Sequence, residues 1–161
     1  MLRPTLITVL SILALPIQAL ALDWPMERND IRRSGVTAES LDAPRLEEQW
    51  RWTTAQPPSP AWPSPARWDA YATLAGMKSM RNYDPVLHPV VAGEALFIAS
   101  NAQDTVQRLN LATGEIEWTF ATDGPVRIAP TIADNHVFIG SDDGYAYCLD
   151  AETGQEIWRY S

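Results

Sequence analysis

Residues 130–158 read PTIADNHVFIGSDDGYAYCLDAETGQEIW, and residues 89–118 read PVVAGEALFIASNAQDTVQRLNLATGEIEW. Aligned, the two stretches agree at the first proline, at an apolar run that ends in serine, at Thr-Gly and at the final tryptophan. The prolines are 41 residues apart and the tryptophans 40, so the one extra residue falls in a loop, where insertions are tolerated. The sequence therefore predicts two copies of one structural unit of about 40 residues.

Each copy has the pattern of four short strands joined by tight turns. Asp142-Asp143-Gly144 is typical of a hairpin turn, and Thr113-Gly114 and Thr153-Gly154 indicate a second turn in each copy. The side chains of Asn110 and Asp150 are expected to accept bonds from the amides of that second turn. Four strands in about 40 residues is the period of a β-propeller blade. We therefore predict an all-β fold, a β-propeller of four-stranded antiparallel blades, with two recognisable blades plus an amino-terminal closing strand.

A propeller closes with about four to eight blades, so the sequence is expected to be a fragment of a larger ring. Residues 148–158 resemble the tryptophan-docking motif Ala-x-Asp-x-x-Thr-Gly-x-x-x-Trp of PQQ-type (pyrroloquinoline-quinone) propeller repeats, and residues 108–118 are a second, weaker copy. The resemblance covers residues 84–161 and implies that each tryptophan ring packs against the neighbouring blade. The expected docking residues are Trp50, Thr113, Gly114, Trp118, Asp150, Thr153, Gly154 and Trp158, with Arg108 and Cys148 in place of the motif's alanine and Asn110 in place of its aspartate.

The amino terminus has the features of a signal peptide over residues 1–21. Arg3 is followed by the apolar run 6–15, and residues 19–21 have the small-x-small form of a cleavage site. The alternative, a membrane anchor, is disfavoured because the run is shorter than the ~20 residues of a spanning helix. We expect cleavage after Ala21, a periplasmic or secreted protein, and no membrane span after cleavage.

The remaining chain divides into three segments. Residues 22–52 form an amino-terminal segment in which Trp50 resembles the tryptophans of the repeats. The stretch around Trp50 is predicted to be the strand that closes the ring. Residues 53–83 form a proline-rich insertion with a short helix, which either supplies a binding face or covers the mouth of the ring. Residues 84–161 are the PQQ-like blades.

Composition narrows the possible partners. With 46% hydrophobic and 20% charged residues the chain has the composition of a globular domain. Its formal charge of −8 disfavours binding to the phosphate backbone of a nucleic acid, so we predict no nucleic-acid partner. The single cysteine, Cys148, excludes an internal disulfide and is expected to be a small buried thiol. Asp142 and Asp143 are too few for a calcium site and are expected to form a turn.

The sequence offers few candidates for chemistry. His88 and Arg127 are placed by the repeat on the inner strands that face the central channel, and Arg81 and Asp84 lie where the insertion meets that strand. These four residues either line a polar pocket at the ring mouth, as weak candidates for cofactor binding, or form ion pairs between blades. The sequence has no phosphate-binding loop, zinc-binding histidine pair or Gly-x-Ser-x-Gly elbow, so no catalytic residue, metal site or cofactor is evident.

Three functions are compatible with these features. The first is an exported platform whose partners are the other blades of the same propeller and another protein or a small ligand at the ring mouth. The second is a quinoprotein dehydrogenase that oxidises an alcohol or sugar with PQQ and calcium. The third is a propeller domain appended to a downstream catalytic domain. We favour the first, in which this segment is not itself an enzyme.

Overall fold

The computed structural model describes residues 23–40, 43–54, 87 and 89–161. Within these residues the chain forms two four-stranded sheets and one turn of 3-10 helix at Ala43–Arg45. The first sheet contains β1 (Val90–Ala92), β2 (Ala95–Ser100), β3 (Thr105–Asn110) and β4 (Ile116–Ala121). The second sheet contains β5 (Thr131–Ala133), β6 (His136–Gly140), β7 (Ala146–Asp150) and β8 (Glu156–Tyr160).

Each sheet is an antiparallel meander in which every strand pairs with the next one in sequence. Both sheets contain an irregularity of register at the same place, between Arg108 and Leu109 in the first and between Cys148 and Leu149 in the second. A bulge shared at equivalent positions is a conserved feature of the unit and not a local defect. The predicted all-β fold of four-stranded antiparallel blades is thus confirmed.

The two sheets pack face to face, and their shared core lies between them. Phe120 on β4 contacts Tyr147 on β7 with ring centroids 5.5 Å apart, which connects the fourth strand of the first sheet to the third strand of the second. The first sheet contributes Val90, Ala95, Phe97, Ala99 and Val106 to the core, the second contributes Ile132, Val137, Ile139, Tyr147 and Leu149, and Val126, Ala129 and Ala151 lie outside the strands.

The predicted turns before β4 and β8 are present. Asn110 Oδ1 accepts bonds from the amides of Ala112 at 3.0 Å and Thr113 at 3.1 Å. Asp150 Oδ1 accepts the equivalent bonds from Glu152 at 3.0 Å and Thr153 at 2.7 Å. Each turn ends at a glycine in the left-handed region, with φ of 74° and 71°, which a residue with a Cβ adopts only with strain.

An amino-terminal strap (residues 23–25) crosses the first strands of both sheets, which the sequence did not predict. Trp24 pairs with Val91 of β1 through two bonds of 2.8 and 2.9 Å. The next carbonyl, that of Pro25, accepts a bond of 2.7 Å from the amide of Ile132 in β5. The strap therefore joins the first strands of the two sheets to each other.

One expectation about strand positions differs from the structure. Arg127 does not lie on an inner strand, because β5 begins only at Thr131 and Arg127 lies in the linker between the sheets. The prolines at 125 and 130 lack the amide proton that a ladder needs, which explains why this stretch is not a strand. Residues 46–54 around Trp50 have no strand partner among the described residues, so the closing strand stays a prediction.

The proposed signal peptide and nearly all of the insertion at 53–83 lie outside the described residues, as do His88, Arg81 and Asp84. The division of the chain into segments stays a prediction.

In the part of the chain that the structure describes, no helix has the length and apolar character needed to cross a membrane.

Candidate functional site

The junction between the two sheets is fixed at one end by Trp118. Its ring lies on the turn before β8, and its Nε1 donates a hydrogen bond of 3.1 Å to the carbonyl oxygen of Ala151. A Cβ placed on Gly154 would lie 2.6 Å from Cδ2 of the indole, closer than a methyl group can approach. The flat indole of Trp118 can therefore lie on this turn only because residue 154 has no side chain.

Trp50 contacts the first sheet in the same way. Its Nε1 donates to the carbonyl oxygen of Leu111 at 2.9 Å, and a Cβ on Gly114 would lie 2.6 Å from Cε3 of its ring. Trp50 thus occupies the position relative to the first sheet that Trp118 occupies relative to the second. The side chain of Trp50 makes this contact although residues 46–54 are not assigned to a strand.

The third tryptophan of the series, Trp158, has a different environment. Its side chain is 44% exposed, and its ring contacts Phe138 of the same sheet at a centroid distance of 6.1 Å. Together with Tyr160, which is 76% exposed, these rings form the open face of the second sheet.

A cluster at the opposite end of the junction connects the linker to the hairpin between β6 and β7. Arg127 forms a two-point ion pair with Asp142, with Nε 2.8 Å from Oδ2 and Nη2 3.0 Å from Oδ1. Ser141 Oγ donates to the carbonyl oxygen of Gly124 at 2.9 Å. A Cβ on Gly124 would lie 2.7 Å from the backbone nitrogen of Asp143, so the close approach of linker and hairpin depends on this glycine.

Asp143 is the acceptor at the centre of that cluster. It accepts bonds from the Tyr147 hydroxyl at 2.6 Å, the Tyr145 amide at 2.9 Å and the Asp123 amide at 3.1 Å. Burial by itself raises the pKa of the Asp143 carboxyl, but these bonds outweigh it and hold the pKa below the ordinary value of 3.8. Burial and the bond to Asp143 raise the pKa of Tyr147 to about 12, so Tyr147 stays protonated as a donor.

A pocket of about 490 Å³ opens between the sheets at the end where Trp118 lies. Its apolar lining includes Ala95 and Phe97 of the first sheet and Ile132 of the second. Arg108 also lines it, with Nη1 2.8 Å from Oε2 of Glu117 in the adjacent strand and 3.3 Å from the carbonyl oxygen of Glu152 in the second sheet. Arg108 thereby connects the two sheets beside Trp118.

Of the four residues that the sequence singled out for a polar pocket, Arg127 is the one that lies among the described residues. Arg127 is held in its ion pair with Asp142, while the placement of His88, Arg81 and Asp84 stays a prediction. Sequence reasoning did not select Arg108 or Asp23 for a site. The signal for Arg108 was its charge at a position where the repeat motif has alanine.

No group of three or more His, Cys, Asp or Glu side chains able to hold a metal ion occurs among the residues described. Cys148 is buried within its sheet, and this burial raises the pKa of its thiol, which keeps it protonated and unreactive at neutral pH.

Several known proteins are similar to this chain. Residues 35–161 match the model of a family described as PQQ_2, Outer membrane protein assembly factor BamB. Among curated proteins, the chain is 29% identical over 72 residues to a tetrathionate hydrolase from Acidithiobacillus ferrooxidans, covering 45% of the chain and 14% of that protein. It is 34% identical over 77 residues to a polyvinylalcohol dehydrogenase from a Sphingopyxis species, covering 43% of the chain and 12% of that protein.

Solved structures with a similar fold include BamB from Moraxella catarrhalis, with a TM-score of 0.40 and 20% identity over 43% of this chain and 21% of that one. A quinohemoprotein alcohol dehydrogenase from Comamonas testosteroni is similar with a TM-score of 0.41 and 24% identity, over 45% of this chain and 12% of that one. The chain therefore spans only a small part of the length of each of these proteins.

Proposed function

Because the chain belongs to the family of PQQ-like β-propeller repeats, we propose that it is part of an exported propeller that binds other proteins. The observation that carries this proposal is the match of residues 35–161 to a family model described as an outer membrane protein assembly factor. Residues 1–21, with their apolar run and small-x-small end, support export and a periplasmic or secreted location.

The proposed platform needs a rigid arrangement of blades, and the junction provides contacts for it at both ends. We propose that Trp118 on Gly154 at one end, and Asp143 with Arg127 at the other, fix the angle between neighbouring blades. By the same reasoning, Trp50 would hold the amino-terminal segment to the first blade. A surface held at a fixed angle binds a partner without first losing conformational entropy, which favours a binding role.

The second candidate is a PQQ-dependent dehydrogenase, favoured by the identity with polyvinylalcohol dehydrogenase. The described residues do not by themselves fit a polyanionic quinone with calcium. The inner strands β1 and β5 have the sequences VVA and TIA without a charged side chain, and the guanidinium of Arg127 is already bound by Asp142. The platform is therefore the better supported of the two.

Deletion of the gene in the organism that encodes the protein tests the platform proposal. We expect the amount of folded outer membrane proteins to fall and to be restored by the wild-type gene. The purified full-length protein with PQQ and calcium is expected to show no dye-linked oxidation of alcohols or sugars. Unchanged outer membrane proteins together with PQQ-dependent oxidation would overturn the platform and support the dehydrogenase.

A further inference from the structure

The pocket between the sheets is bordered by five different parts of the chain. Asp23 and Pro25 of the strap form one side, and Arg108 with the turn residues Ala151 and Glu152 forms the opposite side. The hairpins between β1 and β2 and between β5 and β6 complete the rim. The volume, about 490 Å³, falls within the range typical of sites for small organic groups.

Apolar side chains contribute part of the lining of this pocket. Ala95, Phe97 and Ile132 are all among its lining residues and are nearly fully buried, with 3%, 1% and 8% of their surfaces exposed. These side chains favour an aliphatic chain, because moving methylene groups out of water and against apolar surface is favourable.

The rim of the pocket is negatively charged. Asp23, Asp134 and Glu152 are all lining residues, and the one cation among the lining residues, Arg108, is neutralised by its ion pair with Glu117. Asp23 is fixed there because its Oδ1 accepts a 2.8 Å bond from the amide of Gly93. Asp134 lies in a tight hairpin turn in which it and Asn135 have φ of 49° and 61°, so its position is also well defined.

We propose that this pocket binds a lysine or arginine side chain of a partner protein, with the aliphatic stem inside and the cationic group at the carboxylate rim. Both side chains combine a stem that packs on apolar surface with a charged end that stays near water. An anionic group would meet the three carboxylates, and a neutral one would leave them without a counter-charge. The inference rests on the proposed function, since it specifies the chemistry by which the platform recognises its partner.

Hexylammonium is the probe for the pocket itself, and its binding to the full-length protein is measured by saturation-transfer difference NMR. We expect saturable binding that hexanol does not reproduce. The double variant Asp134→Asn/Glu152→Gln removes two rim charges and is expected to weaken binding about tenfold. Asparagine adopts the left-handed conformation readily, so the fold is expected to tolerate the first of these changes.

The control is Asp104→Asn, which removes one carboxylate charge at the far end of the first sheet, in the β2–β3 turn outside the pocket. Unchanged affinity in this variant supports the pocket. The proposal is overturned if hexanol binds as tightly as hexylammonium, if Asp104→Asn weakens binding as much as the double variant, or if no saturable binding occurs.

A capped peptide with one lysine among alanines distinguishes a partner's side chain from a free amine. We expect it to displace hexylammonium, while the same peptide with norleucine does not. If the peptide fails to displace a bound hexylammonium, the pocket binds free amines and not a side chain of a partner protein, and the proposal is overturned. Because deletion of the gene reports on outer membrane proteins independently of this pocket, failure here leaves the platform standing and the two outcomes stay distinguishable.

Discussion

The two sheets carry the same pair of aromatic rings in the same register, but only one pair is covered. In the first sheet Phe97 is 1% exposed and lies 5.9 Å from the ring of Trp118. In the second sheet Phe138 is 36% exposed and lies 6.1 Å from the ring of Trp158. The pair within a sheet therefore forms in both cases, whereas its burial depends on a following sheet with a glycine turn on which the indole can lie.

The largest effect is expected from the open face of the second sheet. A protein consisting of residues 22–161 should self-associate, because Phe138, Trp158 and Tyr160 expose a continuous aromatic surface and the outer strand is free to pair. Size-exclusion chromatography with light scattering measures this association. The variant Phe138→Lys/Trp158→Glu should shift the distribution towards monomer.

A compact wild-type monomer with a sharp two-state thermal transition would contradict this expectation. It would mean that the second sheet needs no neighbour and that the two sheets differ for another reason.

Loss of the covered indole is the next largest effect. Trp118→Ala removes the ring contact with Phe97 and the hydrogen bond to Ala151, and should lower the free energy of unfolding of the full-length protein by about 3 kcal/mol. Denaturant titration measures the change. Tyr160→Ala is the control, since a side chain that is 76% exposed should contribute little. Equal losses in the two variants would refute the importance of the contact.

Substitution of Gly154, which lies under the indole, separates the cost of lost packing from the cost of the left-handed backbone. Gly154→Ala should cost about 3 kcal/mol, because the new methyl group combines the left-handed backbone penalty with a collision against Trp118. Gly144→Ala is the matched control: its φ is 94°, but no atom lies within 4 Å of the added Cβ, so only the backbone penalty of about 1 kcal/mol applies. Thermal and denaturant unfolding would show equal losses if the indole did not matter.

The smallest effect concerns the other end of the junction and depends on pH. Asp143→Asn should lower the free energy of unfolding by about 1–2 kcal/mol near neutral pH, because the charged acceptor for Tyr147 is lost. The folded-state pKa of Asp143 is lowered, so its contribution is present above the ordinary value of 3.8 and is lost as the pH falls through the folded-state pKa. The wild type and the variant should therefore converge in stability below pH 3.8.

Asp123→Asn is the control for that experiment, since it removes an equal charge while leaving the amide that bonds Asp143 in place. A difference between wild type and Asp143→Asn that persists unchanged at the lowest pH would show that the carboxylate is not responsible.

The strands and turns could be predicted from the sequence because their signals are local. Alternating apolar residues and the Thr-Gly pairs appear twice at the same spacing, so each copy supports the other. The prediction for Arg127 is wrong because its apolar neighbours resemble a strand, whereas the prolines on either side of it interrupt strand pairing.

The pocket could not be predicted because its walls are far apart in the chain. Asp23 reaches Gly93 across 70 residues, and the carbonyl of Pro25 reaches Ile132 by a backbone bond that no side chain specifies. Arg108 is visible in the sequence as a departure from the motif, but its partners Glu117 and Glu152 depend on how the two sheets face each other.

A double-mutant cycle between Trp118 and Gly154 in the full-length protein tests most directly whether the indole of one sheet rests on the glycine turn of the next. The methyl group of Gly154→Ala collides with an indole that Trp118→Ala removes, so the double variant should be less destabilised than the sum of the single variants by at least about 1 kcal/mol. Additive losses, within about 0.5 kcal/mol, would contradict the account.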